Sequence, residues 1–420
     1  MFIRCFRPVL FSLTCSLLLA CPATPEPELD LDRIESTERP GKRSEVLAVA
    51  DELSNSILIF GGNDAPIVDQ IPRANYLDDT WIFEPGFGWV EVNADPRPSP
   101  RGRYAFAYDA EGRRALLFGG RFRDSDDDFF YELRNDLWQF DFVSRTWTML
   151  NDGSGDDAPA GRYYSAGAWD AGTETFYTFG GSLNSDPMAI QPSTQLWAWT
   201  AADGWSNVST SGNEPSSRTF FGSSFDPKKN RILVMAGQVG DFQSLAYNDF
   251  FSLDLDDLRW RELHDGAGDG DAPSTRMHPG LVYDPVRERY LLFGGHTDIG
   301  DANDLWAFDP GDKVWDLVLQ GDSFTGEPLG CELGDLFNPS EVPANYVEQD
   351  LSVLERRHRG MQAVLYDNIW VFGGMHAECS NQLDDTWRYS IEDAVWSELI
   401  PARSGESCLR RNEDCQCLCL

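Results

Sequence analysis

Apolar runs of about four to six residues, rich in Val, Leu, Phe, Tyr and Trp and bounded by Gly, Asp, Asn or Pro, recur along almost the whole chain. Residues 276–315 show the pattern most clearly. Gly280-Leu281-Val282-Tyr283-Asp284 is followed by a short turn and Tyr290-Leu291-Leu292-Phe293-Gly294-Gly295. A loop then leads to Asn303-Asp304-Leu305-Trp306-Ala307-Phe308-Asp309, and the unit closes on Trp315 and Leu317. Such runs predict strands punctuated by turns. Four of them per unit make one small antiparallel sheet.

The unit repeats six times. A Gly-Gly step ends the second strand at Gly61-Gly62, Gly119-Gly120, Gly180-Gly181, Gly294-Gly295 and Gly373-Gly374, with Ala236-Gly237 in the same place in the fourth unit. The third strand carries Trp81, Trp138, Trp197, Phe251, Trp306 or Trp387. A second tryptophan follows eight or nine residues later, at Trp89, Trp147, Trp205, Trp260, Trp315 and Trp396. A hydrophobic strand ending in Gly-Gly, with a spaced aromatic pair, resembles the kelch repeat over residues 43–400. The resemblance implies an all-β, six-bladed β-propeller with four antiparallel strands per blade. Burial argues the same way: a four-stranded sheet with two apolar faces must stack on its neighbours, and closing the ring leaves no unpaired end. Blades are expected at about 43–95, 101–152, 162–210, 218–265, 276–319 and 357–400, with an insertion at 320–353. The tryptophans are expected between blades rather than as a sugar-stacking platform.

The flanks read differently. Residues 1–20 carry Arg4 and Arg7 before an apolar run over 9–20, a secretory leader too short to span a membrane. It ends Leu18-Leu19-Ala20-Cys21, which resembles the lipobox of bacterial lipoproteins and implies cleavage before an acylated Cys21. Several acyl chains anchor firmly where one binds reversibly. Pro22 is not an acidic retention signal, which favours the outer membrane or cell surface. Residues 21–42, rich in Pro, Asp and Glu, predict a stiff solvated tether. The formal charge is −35, and loss of Arg4 and Arg7 with the leader takes it to −37. A field of that sign argues against nucleic acid and against adhesion to anionic lipid heads. An exported, lipid-anchored monomer is expected.

Six cysteines remain after the leader and Cys21: Cys331, Cys379, Cys408, Cys415, Cys417 and Cys419. An even number in an exported chain predicts disulfides, and six allow fifteen connectivities. In a propeller the loop after Gly-Gly and the loop entering the next blade share a face, which places Cys379 near Cys331. The tail over 401–420 lacks the two-residue gap of zinc knuckles, so disulfides explain it better than a thiolate metal site.

Arginines stand eight residues before the aspartate that ends each first strand: Arg43, Arg101, Arg162, Arg218, Arg276 and Arg359. They should circle one mouth of the channel. Six guanidiniums there suit carboxylate, sulfate or phosphate. Asp79, Asp136, Asp249, Asp304 and Asp385 begin the third strands on the same face and offer structural pairing instead; Gln195 leaves Arg162 without a carboxylate. Acidic loops such as Asp124–Asp128, Asp152–Asp157 and Asp265–Asp271 contain the oxygen ligands that Ca²⁺ takes, although solvated turns account for them too. Kelch propellers include galactose oxidase, a copper enzyme using two histidines and two tyrosines. His296 and His376 both follow Gly-Gly, but no tyrosine pair accompanies them, so no metal or other cofactor is expected. A mutarotase-like site for an anionic sugar at the arginine mouth rests on fold analogy alone. No nucleophile triad or phosphate loop is present. The sequence therefore points to a protein- or glycan-binding scaffold more than to an enzyme.

Overall fold

The computed structural model describes residues 30–321 apart from 66, 69–70, 73, 156, 240–245, 267–270 and 298–299, together with 354, 357–376, 381–403, 408–411 and 417–419. The fold is an all-β, six-bladed propeller, and no helix occurs among these residues. Blade one comprises Ala48–Asp51, Ser56–Asn63, Tyr76–Glu84 and Gly88–Glu91, hydrogen-bonded in that order. The first strands of the other blades are Ala105–Asp109, Tyr163–Asp170, Gly222–Asp226, Gly280–Asp284 and Met361–Leu365. Each touches the first strand of the next blade, and the sixth touches the first. The ring therefore closes without an exchanged strand, each blade being cut from one continuous stretch.

Tryptophan packing joins the blades. Every fourth-strand tryptophan sits against an aromatic ring of the preceding blade: Trp147 on Phe60 at 5.3 Å, Trp205 on Phe118 at 4.9 Å and Trp260 on Phe179 at 4.7 Å. Trp315 meets Phe250 and Trp396 meets Phe293. Trp89 closes the circle on Phe372 at 4.8 Å, with its indole N–H donating to Thr386 Oγ1 at 3.0 Å. Such tilted pairs add to the area they bury. No platform for a sugar is left by these six rings.

Both glycines of each Gly-Gly step have positive φ, as at Gly61 (56°) and Gly62 (98°). Their absent side chains matter as well, since a Cβ on Gly62 would lie 2.7 Å from the Ser44 carbonyl. Crowding at the axis explains the small residues of the first strands. A Cβ on Gly167 would stand 2.7 Å from the Phe106 carbonyl of the preceding blade, where backbone cannot yield. Gly167→Val is expected to lower the unfolding free energy by about 1–3 kcal/mol through overpacking. A denaturation midpoint equal to that of the parent would show that the first strands have room to part.

One flank differs from its expectation. Residues 30–42, assigned above to the tether, lie on the propeller. Leu31 and Ile34 pack against the core shared by blades one and six, and the Ser36 hydroxyl donates to the Trp89 carbonyl at 2.6 Å. Arg388 pairs with Asp32 at 2.7 Å. The two apolar side chains, spaced among acids, are enough to dock a segment that composition marks as solvated. The leader, Cys21, Cys331, Cys379, Cys415 and nearly all of the blade-six insertion lie outside the described residues. In the tail, Cys408–Arg411 pairs antiparallel with Cys417–Cys419, Cys408 opposite Cys419.

Candidate functional site

The arginines at the channel mouth are engaged. Arg43 grips Asp79 with two bonds of 2.7 and 2.8 Å and also donates to the Gly61 carbonyl at 2.9 Å. Arg101–Asp136, Arg218–Asp249 and Arg276–Asp304 repeat this fork. Two residues after Asp79, Asp136 and Asp304 a tryptophan adds its indole N–H, at 2.7 Å in each, whereas Phe251 follows Asp249. Burial pushes Asp79, Asp136 and Asp304 up, but the guanidinium and the indole outweigh it and hold each carboxyl below the ordinary range. An incoming anion would have to displace a charge-assisted, bidentate pair. Only Arg162 lacks one: it reaches Gln195 Oε1 at 3.4 Å and two carbonyls, and burial lowers its pKa to about 10.

In blade six the position belongs to Arg357, not Arg359. Arg357 forks onto Asp385 at 2.6 and 2.7 Å and donates to the Gly373 carbonyl. Counting back from Asp367 misplaces the arginine because the first hairpin of this blade is shorter. Leu365 pairs with Asn368 across a two-residue turn, Tyr366-Asp367, with both φ positive (53° and 58°). That is the backbone of a type I′ hairpin. The corresponding turn of blade one has four residues between Asp51 and Ser56. The arginine precedes the first glycine by 18 residues in blade one and by 16 in blade six, a difference equal to the two residues missing from the hairpin.

Two residues after each of these arginines comes a second ring of side chains, of which the sequence singles out Arg359 alone, and at the wrong position. Glu45, Arg103, Tyr164, Phe220, His278 and Arg359 all have left-handed backbone, with φ between 53° and 65°. None is glycine, so the conformation is held by context. Backbone hydrogen bonds supply it: Arg103 N–H donates to the Glu45 carbonyl, Tyr164 to Arg103, His278 to Phe220 and Glu45 to Arg359. The six residues thus ring the axis head to tail and turn chemically different side chains toward one another. Tyr164, Phe220 and His278 pack edge to face or tilted, with ring centroids 4.6–5.2 Å apart. Glu45, 1 % exposed, is bonded by Arg121 and lies 3.8 Å from Arg103 and 4.0 Å from Arg359. Burial pushes the Glu45 carboxyl up, but the combined field of Arg121, Arg103 and Arg359 outweighs it and holds the pKa below the ordinary value.

Beside this ring lies a second polar cluster. Asp301 Oδ1 meets His296 Nδ1 at 2.8 Å and His358 Nδ1 at 2.9 Å, and His358 stacks on His278 at 5.7 Å. Burial pushes Asp301 up, but the two imidazoles outweigh it and hold its pKa well below the usual range; burial drives His358 down to about 4. Of the sequence-predicted pair, His296 is here, whereas only the backbone of His376 is described. Two imidazoles and a carboxylate are ligand types for a transition metal. Asp301 is hydrogen-bonded to His296, whereas His358 Nδ1 lies within ion-pair distance of it but outside hydrogen-bond geometry.

The loops after Gly-Gly form the rim of the same face. Phe129 and Phe130 are 45 % and 59 % exposed at the tip of the blade-two loop and meet edge to face at 5.3 Å. Tyr131 N–H bonds the Ser185 carbonyl of the blade-three loop, which presents Met188, 46 % exposed. The acidic residues near them are used within the protein: Asp126 Oδ1 accepts from Ala74 N–H of the blade-one loop at 2.7 Å, and Asp152 closes its own turn on Ser154.

Comparison with known proteins supports the architecture. The KLHDC2/KLHL20/DRC7 Kelch-repeats domain matches residues 30–197 and 171–328. The chain is 23 % identical over 356 residues to the "Leucine-zipper-like transcriptional regulator 1 homolog" of Drosophila melanogaster, covering 83 % of this chain and 31 % of that protein. It is 22 % identical over 255 residues to human "Host cell factor 1", covering 57 % and 11 % respectively. The chain thus spans less than a third of each of these relatives. With six concordant blades, the Gly-Gly steps and a family match over more than half its length, this protein belongs to the kelch-repeat family.

Proposed function

We propose that this propeller is a protein-binding module of a bacterial envelope, held there by acyl chains on Cys21, with its partner docked on the rim of loops that follow Gly-Gly. The observation that carries the docking surface is the Phe129–Phe130 pair. Two adjacent phenylalanines at a loop tip, with Met188 on the neighbouring loop, are costly to leave in water and have no core to fill. Loops on a rigid scaffold are where recognition is usually built. Aromatic anchors within a polar surround are the usual centres of protein interfaces. The paired arginines of the channel mouth leave the anionic-sugar alternative little to bind with. The anchor rests on the leader and the Leu18-Leu19-Ala20-Cys21 sequence. The tether it implies is short, because residues 30–42 already lie on the blades.

A photo-cross-linking residue at position 130 in the full-length protein tests the rim. The expected result is one discrete envelope protein, lost when Phe129 and Met188 are both changed to serine. That double change should shift unfolding by no more than about 0.5 kcal/mol, as at other exposed sites. Cross-links to glycan, or an unchanged pattern in the variant, would overturn the docking surface. For the anchor, Cys21→Ser is expected to move the protein from the membrane to the soluble fraction; retention in the membrane would refute acylation there.

A further inference from the structure

The axial ring encloses more positive charge than it neutralises. Arg121 takes Glu45 for itself, through Nε at 3.3 Å and a second, shorter bond from the same guanidinium. Arg103 and Arg359 stand at 3.8 and 4.0 Å from the same carboxylate, beyond hydrogen-bond reach. Their side chains are only 9 % exposed. Nε and Nη2 of Arg103, with Nε and Nη1 of Arg359, are buried with no hydrogen-bond partner. The neighbouring carboxylate, Asp301, already serves His296 and His358. His278 lies beside them, and burial, reinforced by Arg359 and Arg103, holds it neutral. Two guanidiniums buried beside one carboxylate already in use are expensive unless something pairs them.

Both arginines line the end of the axial cavity, a space of about 600 Å³ that also receives Tyr164 and His278. That volume falls within the roughly 300–1,000 Å³ typical of small-molecule pockets. From the arginines the shaft runs down the first strands past Leu47, Ala48, Ala107, Val282 and Ala363, and it reaches the surface among hairpin turns that include Leu53. Leu53 is 75 % exposed. The positive charge is at the inner end, and the walls are mainly apolar, with Ser165, Ser223, Ser224 and Gln362 among them and Glu52 beside Leu53.

We propose that this cavity binds an amphipathic monoanion, a single carboxylate or sulfonate on an uncharged apolar body, with its anionic head between Arg103 and Arg359. Arg357 also lines the cavity, but Asp385 already holds it; the loop rim is a separate surface. It opens on the face opposite the loops, so occupancy does not compete with a partner there. A polyanion such as a sugar phosphate matches the charge but not the apolar shaft, so the walls select a monoanion with an oily tail. The head is the same whether the molecule is a fatty acid or an aromatic acid.

The experiment is a titration of the full chain with 8-anilinonaphthalene-1-sulfonate, beside uncharged N-phenyl-1-naphthylamine. One-to-one, saturable enhancement is expected with the sulfonate, weakened at least tenfold in the Arg103→Gln, Arg359→Gln double variant. Ala48→Trp, which fills the shaft and leaves the charges alone, should weaken it as much, and decides the matter if the double variant does not fold. Competition by decanoate or by 1-naphthoate tells an aliphatic from an aromatic acid, and either displacement supports the site. Absence of saturable binding, equal binding of the uncharged dye, or unchanged affinity in Ala48→Trp overturns the proposal.

Discussion

Arg357→Met is expected to lower the free energy of unfolding by about 3–5 kcal/mol, the usual cost of breaking a buried ion pair from one side. Arg357 and Asp385 have side chains 1 % exposed each, and the change leaves a buried carboxylate with the Trp387 indole as its remaining described donor outside the backbone. It also removes the bond to the Gly373 carbonyl, which fixes the Gly-Gly step of the blade that closes the ring. The same change at Arg162 should cost less, about 1–3 kcal/mol, since it loses three bonds to neutral groups and strands no carboxylate. Chemical denaturation of the two variants side by side reads the difference. Equal losses would mean that the forks stabilise through their carbonyl bonds and not through charge.

A comparable loss, about 3–5 kcal/mol near pH 7, is expected for Glu45→Gln, because three guanidiniums then share no carboxylate. This variant carries a second signature. A carboxyl whose folded pKa is depressed stabilises the protein fully above its unfolded pKa and progressively less as pH falls through the folded value. The parent protein therefore loses the Glu45 contribution on acidification below about 4.5, the unfolded value, whereas the glutamine variant has none to lose. Their melting temperatures should converge in acid. A gap that stays constant down to the acid transition would show that Glu45 acts by shape and hydrogen bonding and not by its charge.

Much of this molecule is written locally. Gly-Gly with positive φ, the apolar runs and the tryptophan eight or nine residues beyond the third-strand aromatic recur at near-constant spacing, so six copies reinforce one another. Spacing failed where one hairpin was cut by two residues: Asp367 sits inside the turn of blade six instead of at the end of its strand, and Arg359 was mistaken for Arg357. Residues 30–42 misled for a related reason. Composition reports the average, and docking depended on two side chains, Leu31 and Ile34.

The chain alone determined the class of sheet, the number of blades and the packing between them, because these follow from hydrophobic period and turn chemistry within a few residues. Only the closed ring decided which unlike side chains meet at the axis. Glu45, Arg103, Tyr164, Phe220, His278 and Arg359 come from six different blades and are of five residue types, so no repeated letter marks the position. They become neighbours because one left-handed residue lies at or just before the start of each first strand, and the six converge where the circle is narrowest.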